Sequence, residues 1–377
     1  MINRKRILDE FYELVRIPCS TRAERQVADV IKKKLADLHM EVTEDNSGSK
    51  IGGNCGNVLA FLTGTVAGAG APSLLFTAHL DCVEPCGNIQ PVLKNGIITS
   101  AGDTILGSDD KSGVVAILEA LRVIREQNIP HGNIQIIFTV AEEGGLKGSK
   151  SVDPALLRAD FGYALDAGGS PGEIVTMAPG QNKLEIFIYG KKAHAGVAPE
   201  DGINAIILAG KALAQINDGR IDSETTANIG TIQGGSATNI VPDKVVILAE
   251  ARSRNEKKLA AQTEHMCQVF KETVKAAGGK AEVNVTKEYD AYILPETAPV
   301  VRLACQAVES IGLKPVIKAT GGGSDANYFN SYGIPTAVLG TGMSKVHTTD
   351  EFIKEEDLYT IGELALAIIK AAGQAEL

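Results

Sequence analysis

The stretch from Leu74 to Asp81, LLFTAHLD, runs from apolar residues directly into His79 and Asp81. A short, uninterrupted apolar run of this kind suits a strand buried on both faces, in a sheet with helices on either side. Ending the strand in His-x-Asp places an imidazole at the edge of the sheet, with a carboxylate beside it to orient the ring. Further clusters follow in order: Asp109-Asp110-Lys111, Glu142-Glu143, Asp166 and His347, each where an apolar run stops. Side chains delivered this way, from several strand ends, assemble a metal site.

Working outward, Val58 to Leu62, Ile134 to Val140 and Tyr163 to Leu165 are similar short apolar runs. Between the strands, Ser112 to Gln127 has the apolar spacing of an amphipathic helix and makes a strand-helix-strand crossover. Ile7 to Val15 and Glu24 to Leu38 also read as helices, the second with Ser20 or Thr21 as its N-cap. From Gln181 the pattern changes. Leu184 to Tyr189, Asn228 to Gln233, Val245 to Ala251 and Ala281 to Lys287 read as strands, with helices at Gly202 to Ile216 and Glu256 to Ala277. This βαββαβ order is the split ferredoxin-like unit, complete in itself. A helix (Pro299 to Ile311), a strand (Thr336 to Leu339) and a last helix (Glu356 to Ala372) then return to the first pattern. The expected class is α/β, a mixed sheet covered by helices with an α+β domain inserted. The boundaries fall at 1–179, 180–293 and 294–377. At 377 residues the chain exceeds what one hydrophobic core usually serves, which agrees with two domains.

Composition narrows the partners. A formal net charge of -9, with no basic run longer than Lys32-Lys33-Lys34, argues against nucleic acid or an anionic membrane surface. No apolar stretch approaches the roughly 18 to 20 residues that cross a bilayer, and MINRKRILDEFYELV reads as a charged amphipathic helix rather than a signal peptide. A cytoplasmic location is the expectation. The 6 cysteines then read as reduced thiols. Cys82 and Cys86 form a Cys-x-x-x-Cys pair, but no second pair completes a tetrahedral metal set.

Each candidate has a plainer reading. His39, His131 and His265 read as structural or surface residues, whereas His79 and His347 each lie among Gly, Thr and carboxylates at the end of an apolar run. Asp109 and Asp110 could be an N-cap and a first-turn carboxylate of the helix that follows. That accounts for one acid and leaves the second crowded against it, unless a cation offsets the repulsion. Glu142 and Glu143, at the mouth of a buried strand, raise the same difficulty. Two imidazoles and several carboxylates, with no thiolate, suit zinc, or cobalt and manganese in its place. The donors outnumber the four that one zinc takes, and two metals sharing a carboxylate account for the surplus.

Taken together, His79-x-Asp81, Gly107-Ser-Asp109-Asp-Lys-Ser-Gly113, Glu142-Glu143-Gly144, Ala164-Leu-Asp166 and Val346-His347-Thr-Thr-Asp-Glu-Phe352 resemble the di-zinc exopeptidase family of peptidase T, carboxypeptidase G and the aminoacylases. LGSDDKSG, the stretch Ile129 to Gly144, and GGGSDANYF from Gly321 to Phe329 are most similar to its peptidase T branch, that of tripeptide aminopeptidases. The resemblance spans nearly the whole chain. It implies that His79 and Asp166 bind one zinc, Glu143 and His347 the other, and that Asp109 bridges them. It also implies that Asp81 bonds the far ring nitrogen of His79, that Glu142 is the general base, and that the Asp109-Asp110 bond is cis.

The inserted domain resembles the family's lid, in which His194 helps to stabilise the oxyanion while Asn239 and Arg252 bind the substrate backbone or its carboxylate. By themselves these three would read as a surface-loop histidine, a turn asparagine and a solvated strand-end arginine. One departure stands out: Gly321 occupies the position where the branch pattern has an arginine. The glycine-rich turn around Gly322 could then present backbone N–H groups to a carboxylate, as a nest does. The implied activity is hydrolysis of short peptides with two zinc ions per subunit, and related lids form homodimers through an edge strand and a helix. The alternatives are a carboxypeptidase or N-acyl-amino-acid deacylase with the same metals, and a non-catalytic metal- or peptide-binding protein.

Overall fold

The computed structural model describes residues 1–66 and 70–374. The chain divides into two compact units, one made of Met1–Thr176, Leu294–Ala319 and the chain from Ser324, the other of Met177–Ile293 with Thr320–Gly323. Among the described residues no helix is long and apolar enough to cross a membrane.

The first unit is built on a mixed sheet. Across it the strands run Glu41–Glu44, Val58–Leu62, Ile134–Thr139, Leu74–His79, Phe161–Ala167, Thr336–Gly340 and Glu173–Ala178. Leu74–His79 is parallel to both its neighbours, and Thr336–Gly340 is parallel to Phe161–Ala167. The outer pairs are antiparallel. All six residues of Leu74–His79 and all six of Ile134–Thr139 are buried, as continuous apolar runs require. Alternate side chains serve opposite faces. Leu75 joins Leu59, Ile137 and Phe329 in one cluster. Phe76, on the other face, packs with Ile117, Ala120 and Leu121 of the helix Ser108–Glu126 and with Ala365 and Ile369 of the helix Glu355–Gln374.

In the second unit a five-stranded sheet has the order Gly219–Arg220, Thr225–Gly234, Lys244–Ser253, Gly180–Tyr189, Lys280–Tyr289, every neighbouring pair antiparallel. Burial alternates along Lys244–Ser253, so Val245, Ile247, Ala249 and Ala251 turn inward. They share a core with Leu184, Ile186 and Ile188, with Leu208 of the helix Ala205–Leu213, and with Met266, Phe270 and Val274 of the helix Glu256–Ala276.

Some local expectations change. Neither Ser20 nor Thr21 caps the second helix, which starts at Arg25 after Glu24 and has no side-chain cap. The Thr21 hydroxyl instead donates to Asp81 Oδ2 at 2.8 Å. The edge strand Glu41–Glu44 and the strand Glu173–Ala178 had no clear sequence signal. Nor did the small sheet of Pro91–Lys94, Ile97–Ser100 and Phe352–Lys354, whose strands are three or four residues long.

Candidate metal and catalytic site

Parallel pairing brings the site together, because parallel strands end on the same edge of a sheet. Thr77 is level with Ala164, and His79 with Thr139. Continuing that register sets Asp166 level with His79. Glu142 and Glu143 follow Thr139 by three and four residues, and the loop after Thr336–Gly340 carries His347 to the same edge.

The donor atoms fall into two groups that share one residue. His79 Nε2 lies 2.9 Å from Asp109 Oδ1 and 3.7 Å from Asp166 Oδ1. His347 Nε2 lies 3.3 Å from Asp109 Oδ2 and 2.8 Å from Glu143 Oε1. Asp109 therefore turns one oxygen toward each imidazole. Asp110 is also close enough to form a group with His79 and Asp166. Its oxygens, however, are committed to backbone amides: Oδ2 accepts from His79 N at 3.2 Å and Oδ1 from Gly113 N at 3.3 Å. The Asp109-Asp110 peptide bond is cis. Both residues have non-helical backbone angles, so the plain reading of the pair as the first turn of a regular helix does not hold.

Asp81 orders this edge. It is fully buried. Its Oδ1 accepts the N–H of Glu142 at 3.0 Å, and its Oδ2 accepts the N–H of Glu143 at 3.2 Å besides the Thr21 hydroxyl. The contact with His79 differs from the expected one. The ring's Nδ1 meets the backbone carbonyl of Asp81 at 3.0 Å, and the carboxylate oxygen Oδ1 stands farther off at 3.5 Å. A carbonyl accepts only, so Nδ1 carries the proton and Nε2 offers a lone pair to the donor group.

Burial, followed by the negative charge of Asp166, holds both Asp110 and Glu142 well above the usual carboxylate range. Burial and then the charge of Asp109 do the same to Asp166. Burial works against a charged His79, but Asp109 and Asp81 more than offset it and raise its pKa. His347 is pushed up to about 10 by Asp109 and Glu143. Glu143 Oε1 is a buried oxygen with no directed hydrogen bond, although His347 Nε2 is 2.8 Å away. A divalent ion held here would take the place of the ring proton that these carboxylates favour, leaving nitrogen and oxygen donors turned to a common cation. Nitrogen and carboxylate donors in two groups with a shared Asp109 suit a pair of divalent ions. No cysteine joins these groups among the described residues. Cys82 Sγ instead faces Cys19 Sγ at 3.7 Å and the Lys111 ammonium at 3.4 Å.

The second unit holds the other sequence candidates. His194 is exposed, and its Nδ1 accepts the N–H groups of Gly196 and Val197, each at 3.2 Å, which leaves the ring proton of the neutral form on Nε2. Asn239 is exposed, and its carbonyl accepts Ala195 N at 3.0 Å. Arg252 forks onto Glu250 through Nε at 2.8 Å and Nη2 at 3.0 Å, so it already holds a carboxylate. The expectation for Gly322 is corrected. Its N–H is taken by the Thr320 hydroxyl at 3.1 Å. None of Gly321, Gly322 and Gly323 has a positive φ, so the turn forms no anion nest.

Three participants were not read from the sequence in these roles: Thr21 and Asp110, described above, and Glu351, whose carboxylate accepts the N–H of Asp109 at 3.1 Å. Only the doubled acid of Asp109-Asp110 hinted at the second. Glu351 lies within the quoted motif HTTDEF, where an acid four residues past a histidine has no periodic signal.

A profile described as peptidase family M20/M25/M40 matches residues 75–371. The structure of aminopeptidase PepT from Bacillus cereus is 46% identical, covering 99% of this chain and 100% of that one with a TM-score of 0.91. A tripeptidase from Staphylococcus aureus is 42% identical with a TM-score of 0.95, covering 99% of this chain and 100% of its own. Peptidase T of Fusobacterium nucleatum is 30% identical over 294 residues, which are 76% of this chain and 70% of that protein. The mixed sheet with its helices is the fold shared with the two structures.

Proposed function

The chain belongs to peptidase family M20/M25/M40 and is a metallopeptidase, and on that premise we propose that it removes the N-terminal residue of short peptides, tripeptides foremost, with two zinc ions in the site. The observation that carries this reading is Asp109, whose two oxygens face the two histidines 2.9 and 3.3 Å away. His79 and Asp166 would hold one ion, Glu143 and His347 the other, and Asp109 both. Two such ions, when bound, polarise a carbonyl and make water acidic enough to be deprotonated near neutral pH.

Every other task falls to side chains. Glu142 is the general base: a carboxylate whose pKa is held up by burial is matched to taking a proton from the attacking water and returning it to the leaving amine. Asp81 fixes the backbone of Glu142 and Glu143, and Thr21 fixes Asp81. His194, with its donor on Nε2, is assigned to the oxyanion, and Asn239 and Arg252 to the substrate backbone and carboxylate. A homodimer through the second unit, and a lid role for that unit, belong to the same reading.

The names of the relatives support an aminopeptidase, and Gly321, in place of the branch's arginine, loosens the expectation of strict tripeptide length. The test is product analysis with free tripeptides, N-blocked peptides, C-terminally amidated peptides and N-acetyl amino acids. Release of the N-terminal residue from free tripeptides is expected. Cleavage of N-blocked substrates alone would replace this reading with a carboxypeptidase or deacylase.

A further inference from the structure

Glu351 is a buried carboxylate that the reaction just described does not use, with 1% of its surface exposed. Its Oε2 accepts the N–H groups of Leu106 and Gly107, each at 2.8 Å. Its Oε1 accepts the Ser108 hydroxyl at 2.6 Å and the N–H of Asp109 at 3.1 Å. Four donors from four consecutive residues thus converge on one side chain, and the last belongs to the residue with an oxygen toward each histidine. Glu351 also closes the loop that bears His347. Ser344 and Phe352 exchange backbone hydrogen bonds at 2.9 and 3.0 Å across the base of that loop, and Glu351 N donates to Thr348 O at 3.1 Å. Within the loop Lys345 and His347 sit at φ 53° and 63°, left-handed conformations that side chains adopt at a cost and hold only when their surroundings enforce them.

We infer that Glu351 is the positioning residue that sets Asp109 and His347 at their working separation, clamping the 106–109 backbone to the loop that carries the second histidine. This rests on the two-metal reading above and deepens it, since it assigns the spacing of the two donor groups to one side chain touching neither metal nor substrate. The simpler role is to satisfy amides at the start of the helix Ser108–Glu126. That role predicts lost stability alone. The clamp predicts a change in how the donors meet a metal.

The experiment compares wild type with Glu351→Gln and Ser108→Ala, each first stripped of metal by chelation. In either orientation the glutamine amide turns its NH2 toward two of the four donors. On the Oε1 side the Ser108 hydroxyl can rotate to accept, so this orientation should prevail: the Asp109 amide loses its acceptor and should exchange hydrogen faster in the metal-free variant, and the amides of Leu106 and Gly107, left with a neutral acceptor, faster by less. Cobalt(II) titration followed by visible absorption should show binding weakened about 10- to 100-fold, more for the equivalent held by Glu143 and His347, with an altered band shape. After metal is restored, kcat should fall about 10- to 100-fold while KM stays within about threefold. Ser108→Ala removes one donor and should shift every readout the same way by less, which carries the test if the glutamine variant does not fold. Wild-type cobalt affinities and spectrum in a folded Glu351→Gln protein would overturn the inference, as would a lowered melting temperature as the only change. Wild type that takes up a single cobalt equivalent would instead overturn the two-metal reading, leaving the amide exchange to decide whether Glu351 holds the loop.

Discussion

Replacing Asp81 with asparagine tests whether one buried carboxylate organises the catalytic edge. Its Oδ2 accepts from Thr21 Oγ1 at 2.8 Å and Glu143 N at 3.2 Å, while Oδ1 accepts from Glu142 N at 3.0 Å and lies 3.5 Å from His79 Nδ1. Asparagine converts one oxygen into an NH2. If the NH2 lies on the Oδ1 side it confronts the Glu142 amide and the proton on His79. On the Oδ2 side the Thr21 hydroxyl can rotate to accept, and only the Glu143 N–H is stranded, so this orientation should prevail. A stranded buried N–H costs about 1–3 kcal/mol, and loss of charge assistance in the remaining bonds about 1 kcal/mol more. The total, about 2–4 kcal/mol, is measurable by urea unfolding of the chelator-treated protein. Because the Glu142–Glu143 backbone and the His79 ring both lose restraint, kcat/KM on a tripeptide should fall about 10- to 100-fold, or about 1.4–2.7 kcal/mol in the barrier. Thr21→Val should reproduce a smaller part of both effects and Thr21→Ser almost none. An Asp81→Asn protein within about 0.5 kcal/mol of wild type, with full activity, would refute the argument.

Three further outcomes follow from the same geometry. Glu142→Gln keeps the backbone bond to Asp81 and should lower kcat about 10²- to 10⁴-fold with metal content near wild type; retained turnover would remove Glu142 from the base role. Chelation should abolish activity, and back-titration with zinc, cobalt or manganese should restore it with a break at two equivalents, whereas a break at one would contradict a shared Asp109. Glu44 is held at about 2 by Arg25, with Lys32 also bonded to it, against an ordinary value of 4.5. A depressed carboxylate pKa stabilises the fold fully above the unfolded value, and that contribution disappears as pH falls from about 4.5 through about 2. Glu44→Gln should therefore be less stable than wild type by about 1–2 kcal/mol at pH 7, after screening of the partly exposed pair, with the difference vanishing toward pH 2. A pH-independent difference in urea midpoints would show that packing, and not the charge, is responsible.

The parts of this protein legible in its sequence are those written in local patterns. LLFTAHLD and IQIIFTV announce doubly buried strands because they are mostly apolar and no charged residue interrupts them before the strand end, and the alternation along Lys244–Ser253 matches a half-buried strand. The hairpin Pro91–Lys94 and Ile97–Ser100 was illegible because four-residue strands with exposed side chains carry little periodicity. Thr21 shows how a local rule can be overridden. A threonine ahead of a helix is a good cap, but the buried carboxylate of Asp81 lies within reach and forms a charge-assisted bond worth more than a neutral cap. The Gly321–Gly323 turn shows the reverse. Glycines permit a left-handed nest, but permission is not adoption, and the Thr320 hydroxyl claims the Gly322 amide.

By itself the sequence determined which residues stand at strand ends, and so which imidazoles and carboxylates could meet, because apolar runs mark buried strands and the polar residues that end them mark the edge. It also carried the ordered motifs that identify the family. What it left open was geometry: that Asp110 gives its oxygens to the backbone amides of His79 and Gly113, that the Asp81 carbonyl rather than its carboxylate takes the shorter contact with His79, and that Glu351, in the loop after His347, gathers the donors of residues 106–109. These depend on the parallel register that sets His79 level with Thr139, and on bonds between residues up to 245 positions apart. Neighbouring acids look alike in one dimension. They are told apart by which amide each reaches first, and that is settled only when the strands are side by side.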